Sequence, residues 1–161
     1  MPTALIVAVD GAARGNPGPA GAGVVLTEAK GQKTREIGVY LGETTNNVAE
    51  YAALVVALYE ATRLGAGAVQ VQTDSELLAK QVSGEYRVKE ATLRMLHALV
   101  RHFMAGFGRC TVSHVPREQN RAADRVANRA VDAGLRGHHA RACRAPAAAS
   151  PTQRTFPFPL P

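Results

Sequence analysis

Two short apolar runs each end in an aspartate and are followed at once by residues that break or restart regular structure. No other feature restricts the fold as much. Thr3-Ala4-Leu5-Ile6-Val7-Ala8-Val9-Asp10 reads as a buried strand. The next nine residues, Gly-Ala-Ala-Arg-Gly-Asn-Pro-Gly-Pro over 11–19, are turn chemistry that no helix interior tolerates. The second run, Val69-Gln70-Val71-Gln72-Thr73-Asp74, alternates as a strand does, and Ser75 behind it can cap a helix over Glu76 to Val82.

The remaining segments fall around these two. Gly23 to Leu26 and Thr34 to Tyr40 read as strands joined by a hairpin turn at Lys30-Gly31-Gln32. Thr45-Asn46-Asn47 supplies cap candidates for a helix from about Val48 to Leu64, closed by Gly65. Leu93, Leu96, Val100, Phe103 and Met104 recur at helical spacing. Cys110 to Val115 is a last strand, and Glu118 to Ala133 a last helix with an alanine-rich face. The element string is therefore βββαβααβα. Three strands in hairpin sequence pair antiparallel, whereas strands reached through helices pair parallel, so an α/β fold on a mixed sheet is expected.

Charge divides the chain. Residues 1–135 hold all 13 acids and 15 of the 19 Lys and Arg, a balance of +2, and read as one globular domain. Residues 136–161 hold Arg136, Arg141, Arg144 and Arg154 with no acid. Their Ala and Pro content, ending Phe156-Pro-Phe-Pro-Leu-Pro161, predicts a basic disordered tail with its boundary near Gly134 to Gly137. No uninterrupted apolar run reaches 18 residues, and Met1 to Leu5 has no basic flank, so neither a spanning helix nor a secretory signal is expected. Two cysteines, Cys110 and Cys143, are too few for a disulfide scaffold. A cytoplasmic monomer with free thiols is the expectation, with a bond pinning the tail as the alternative.

Asp10 and Asp74 end strands, Glu50 lies early in one helix and Asp124 early in another. In a layered α/β fold, strand ends and the starts of the following helices gather at one edge of the sheet. Taken singly, each acid is equally a turn or cap residue; Glu50 could serve the helix dipole, and Asp124 could pair with Arg121 or Arg125. Taken together, four converging carboxylates repel unless cations sit among them. Two divalent ions roughly 3.5–4 Å apart, Mg²⁺ or Mn²⁺ by the hardness of their oxygen ligands, would answer that and suit phosphodiester cleavage.

The surrounding text resembles the type 1 ribonuclease H family over about residues 3–133. The resemblance rests on Asp10-Gly-Ala-Ala-Arg-Gly-Asn-Pro-Gly-Pro-Ala-Gly-Ala-Gly23, Thr45-Asn-Asn-Val-Ala-Glu50-Tyr, Thr73-Asp-Ser75 and His114-Val-Pro-Arg-Glu-Gln-Asn120-Arg-Ala-Ala-Asp124. It implies a ribonuclease H-like fold, a five-stranded mixed sheet flanked by helices. It also implies that Asp10, Glu50, Asp74 and Asp124 hold two Mg²⁺ ions, with Mn²⁺ as a substitute. The implied reaction hydrolyses the RNA strand of an RNA–DNA hybrid, leaving a 5′-phosphate and a 3′-hydroxyl. His114 matches a mobile-loop histidine that assists product release, with Arg117 as the alternative for that role.

Substrate contacts follow from the same resemblance. The loop from Gly11 to Asn16 and the amides of Asn46 and Asn47 are implied to touch ribose, where the 2′-hydroxyl both donates and accepts. Glu50 would also meet a 2′-hydroxyl, and Thr45 would line a pocket for a DNA phosphate. Two departures stand out. Glu43 occupies a position that often carries arginine, and the short stretch Gly84 to Lys89 leaves no room for the basic insertion many bacterial members use to grip DNA. The chain thus resembles the compact subgroup, and its arginine-bearing tail is a candidate replacement grip. Rival readings are a relative cleaving double-stranded RNA or DNA junctions, and a catalytically silent hybrid-binding module.

Overall fold

A computed structural model describes residues 3–31 and 33–142, with side-chain surroundings through residue 137. The strands are β1 (Thr3–Ala13), β2 (Gly18–Glu28), β3 (Thr34–Thr44), β4 (Ala66–Thr73) and β5 (Arg109–His114). The helices are α1 (Asn46–Arg63), α2 (Glu76–Ser83), α3 (Ala91–Ala105) and α4 (Arg121–Ala142), with a 3₁₀ turn at Arg117–Gln119 before α4. This is the expected element order. The sheet runs β3-β2-β1-β4-β5. β1–β2 and β2–β3 pair antiparallel, while β1–β4 and β4–β5 pair parallel.

Pairing overrides local turn chemistry at the end of β1. Gly11, Ala12 and Ala13 pair with Ala22, Gly21 and Ala20, so the strand continues past Asp10 and the turn shrinks to residues 14–17. Asp10 therefore lies inside a paired strand rather than on a loop, and its backbone is held by β2.

One face of the sheet carries the larger core. α1 packs on β1 and β2 through the buried side chains of Tyr51, Leu54 and Leu58, and α3 lies outside α1. Leu54 and Leu58 are completely buried, as are Val7 and Val9 beneath them. Each such aliphatic side chain stabilises the fold by about 1.5–3 kcal/mol relative to exposure. Thr45 starts α1 by accepting a hydrogen bond from the Val48 N–H at 3.3 Å. Tyr51 donates its hydroxyl to Gln81 Oε1 at 2.8 Å, tying α1 to α2.

The opposite face is covered by α4, which lies much closer to the strands. A Cβ on Gly23 would stand 2.2 Å from the Ala123 carbonyl oxygen, so the helix rests on β2 with no side chain between them. Ala123 and Ala127 keep that contact thin.

The final helix departs from expectation. It runs through Gly134 and Gly137 to Ala142, so the boundary expected between residues 135 and 136 falls inside α4. Gly134 is not a helix stop: its missing Cβ makes room for the Tyr40 ring, which would lie 2.0 Å from it. The rest of the expected tail, residues 143–161 with Cys143, lies outside the described residues. Cys110 is a free thiol, and burial raises its pKa. Among the described residues no helix is long and apolar enough to cross a membrane.

Candidate active site

Four elements deliver carboxylates to one edge of the sheet. Val9 and Thr73 are register partners in β1 and β4, so Asp10, the next residue of β1, and Asp74, just past the end of β4, stand side by side. Glu50 comes from the face covered by α1. Gly11 makes that approach possible: a Cβ there would stand 2.3 Å from the Glu50 backbone nitrogen. Only a glycine lets β1 and α1 touch at this point, and the touch brings Glu50 against Asp10.

Asp124 arrives from the opposite face, in the first turn of α4. Its placement depends on Asn120, which is 1% exposed. The Asn120 side chain donates from Nδ2 to the Val9 carbonyl at 2.9 Å, and its own backbone carbonyl accepts from the Asp124 N–H at 3.2 Å. One residue thus couples the strand bearing Asp10 to the helix turn bearing Asp124. Asn128, one turn further on, donates to Asp124 Oδ1 at 3.2 Å. The ion pairs among the described residues do not include Asp124, so the alternative partners Arg121 and Arg125 leave it free.

Carboxylate oxygens of Asp10, Glu50 and Asp74 all lie within 4.8 Å of one another. Asp10 and Glu50 are each only 5% exposed, and Glu50 Oε2 is buried without a hydrogen-bond partner. Burial, and then the charge of neighbouring carboxylates, pushes the pKa of both groups well above the ordinary carboxylate range; a backbone hydrogen bond from Gly11 opposes the rise at Glu50. Buried like charges with an unused oxygen are unfavourable for the isolated chain. They suit a hard divalent cation, whose preferred ligands are carboxylate oxygens. The residues present therefore fit a metal.

Asp124 joins the other three acids on the wall of a cleft of about 440 Å³, with Asn46 and Arg117 among its other lining residues. Other candidates from the sequence fall into place around it. Gly11 lines the cleft, and Asn16 Oδ1 accepts from the Asn46 N–H at 3.1 Å, joining the β1–β2 turn to the start of α1. Thr45 is occupied as the cap of α1, and Asn47 is exposed away from the cleft wall. His114 ends β5, is exposed and does not line the cleft; Arg117 does. Of the two residues considered for the loop role, the structure brings Arg117 to the acids and not His114.

Asn120 and Asn128, which hold the Asp124 turn, were not among the residues expected from the sequence. Each had a signal: both stand four residues from Asp124, the spacing that stacks side chains or closes a first helical turn.

Comparison with known proteins agrees with the geometry. Residues 8–130 match the family model described as reverse transcriptase-like. Ribonuclease HI of Halobacterium salinarum is 42% identical over 123 residues, spanning 76% of this chain. The match spans 62% of that protein's own length, so the halobacterial relative is considerably longer. Ribonuclease H of Methylococcus capsulatus is 38% identical over 139 residues, covering 76% of this chain and 86% of the relative. The crystal structure of LC11-RNase H1 in complex with RNA/DNA hybrid superposes with a TM-score of 0.76 at 45% identity, covering 81% of this chain and 99% of that one. A mixed five-stranded sheet, acids at its edge and similarity to such relatives over most of the sequence lead to one conclusion: the chain belongs to the ribonuclease H family.

Proposed function

We propose that this protein is a metal-dependent endoribonuclease that hydrolyses the RNA strand of RNA–DNA hybrids, leaving a 5′-phosphate and a 3′-hydroxyl. The observation that carries the reading is the convergence of Asp10, Glu50 and Asp74 around a buried carboxylate oxygen that the chain itself leaves unpartnered. The RNA/DNA hybrid held by LC11-RNase H1 in its crystal structure supports the substrate class.

In this reading Asp10, Glu50, Asp74 and Asp124 would hold two Mg²⁺ ions. When bound, the metal supplies activation of the attacking water and neutralisation of charge at the phosphate. The chain supplies position. Asp10 is a short side chain inside paired β1 and Asp74 another just past the end of β4, so their carboxylates stay close to rigid backbone. Asn120 holds the Asp124 turn against β1. Gly11 and Asn46 line the cleft where the ribose of the cut strand passes, offering close backbone approach and amide groups that suit a 2′-hydroxyl. Arg117, at the cleft wall, presents a guanidinium to the phosphate or to the departing product.

The test is a cleavage comparison on three matched duplexes, RNA–DNA, RNA–RNA and DNA–DNA, in Mg²⁺, with end-group analysis of products. Cleavage confined to the RNA strand of the hybrid, with 5′-phosphate ends, is the expected result. Equal cutting of double-stranded RNA, or hybrid binding with no turnover in any divalent ion, overturns it.

A further inference from the structure

A second groove opens beside the carboxylate cleft, lined by Arg117, Glu118, Arg121, Asp124 and Arg125. Arg117 and Asp124 line both, so the groove continues the cleft around the start of α4. Arg121 and Arg125 stand one helical turn apart, and Arg117 begins the 3₁₀ turn that leads into that helix. All three arginines are exposed.

Their side chains are also uncommitted. Arg14, Arg35, Arg63 and Arg129 are each paired with an acid. No side-chain hydrogen bond or ion pair among the described residues engages Arg117, Arg121 or Arg125, although Glu118 and Asp124 lie in the same groove. Asp124 is instead bonded to Asn128. Three free guanidiniums along an open groove form a surface for an oxyanion that accepts paired N–H donors, and phosphodiester oxygens are that acceptor.

We propose that Arg121 and Arg125, together with Arg117, grip the phosphodiester backbone of the substrate duplex beside the scissile linkage. This places a cationic grip on α4 in a chain whose α2–α3 connection, residues 84–90, is short and balances Arg87 and Lys89 with Glu85 and Glu90. It rests on the proposed function for the identity of the duplex. The arginines also offset the negative field of the acids at the mouth of the cleft, which otherwise repels the phosphates that must enter it.

The experiment measures binding of a fluorescently labelled RNA–DNA hybrid by anisotropy across a KCl series. The parent is the full chain carrying Asp74→Asn, so that substrate is not consumed. Adding Arg121→Gln and Arg125→Gln is expected to weaken binding by about tenfold near physiological salt. It should also flatten the slope of log affinity against log salt by about 1–2. Arg121→Lys with Arg125→Lys is expected to restore most of the slope, because the charge returns. Parallel thermal melts of the variants are expected to coincide, since both side chains are exposed and unpaired. Identical slopes and affinities for the parent and the double Gln variant overturn the assignment. A parent that binds while the unmutated chain cuts no hybrid overturns the proposed function and leaves this inference standing. A parent that binds no hybrid overturns both.

Discussion

Helix α1 carries two buried glutamates in opposite surroundings. Glu60, near its C-terminal end, is 8% exposed and lies between Arg35 of β3 and Arg63 one turn along. The hydrogen bond from Arg63, reinforced by Arg35, holds its carboxyl down to about 2. Glu50, near the N-terminal end, is 5% exposed and faces Asp10 and Asp74, with one oxygen unpartnered. Residue type and helix are shared, but Glu60 is covered by two half-exposed arginines near the surface, whereas Glu50 is covered by the protein interior and by other acids. The chain neutralises Glu60 from its own arginines and leaves Glu50 to be neutralised from solution. A buried acid with internal partners holds a fold together, whereas a buried acid among acids is held by the fold for something else.

Exchanging either acid for its amide tests that contrast most severely. Glu50→Gln is expected to lower hybrid turnover by at least about 100-fold, since it removes charge where the reacting phosphate must be neutralised. Glu60→Gln is expected to change turnover little. Initial rates at saturating hybrid and Mg²⁺ decide the matter, and a Glu50→Gln enzyme with the full rate would falsify the site.

Stability should move in opposite directions. Without metal, Glu50→Gln is expected to raise stability by about 1–3 kcal/mol, because it removes a buried group that lacks compensation. Glu60→Gln is expected to lower it by roughly 1–2 kcal/mol, a modest figure because solvent screens the arginines. Their side chains are 51% and 53% exposed. Mg²⁺ should raise the melting temperature of the unaltered chain and lose most of that effect in Glu50→Gln. Denaturant melts showing the same sign of change for both variants would erase the distinction.

The smallest expected effect lies in acid. The Glu60 carboxyl titrates near 2 in the fold against an ordinary 4.5. Its contribution is therefore fully present above its ordinary value and is lost as pH falls from there towards the folded one. Across that window the unaltered chain should lose more stability than Glu60→Gln, by about 1 kcal/mol once screening is allowed for. Parallel pH–stability curves would show that the arginines hold Glu60 less firmly than their geometry indicates.

Much of this was legible in the sequence, and what was not has a common cause. The order of elements could be read because apolar runs are separated by glycine, proline and capping residues that act locally. The four acids could be read because each closes an apolar run or lies early in a helix, where chain direction alone decides which edge it reaches. Gly11 to Ala13 misled because their pairing with β2, which extends the strand, is a decision made at residues 20–22. Gly134 misled for a similar reason: a glycine that ends a helix and one that admits the ring of Tyr40 look the same in one dimension. Glu60 carried only half its signal: Arg63 stands at helical spacing from it, but Arg35 reaches it across 25 residues of chain. Asn120 reaches Val9 across 111. Partnerships at such separations belong to the folded surface and have no local pattern.

That last contact bears on how the protein comes into being. The acids enter the chain in the order Asp10, Glu50, Asp74, Asp124, and the bond from Asn120 to Val9 forms only after the fifth strand has emerged. A chain that ends before residue 120 holds at most three of the acids and lacks the clasp that seats the fourth. Assembly of the acidic edge is thereby deferred until the domain is nearly whole.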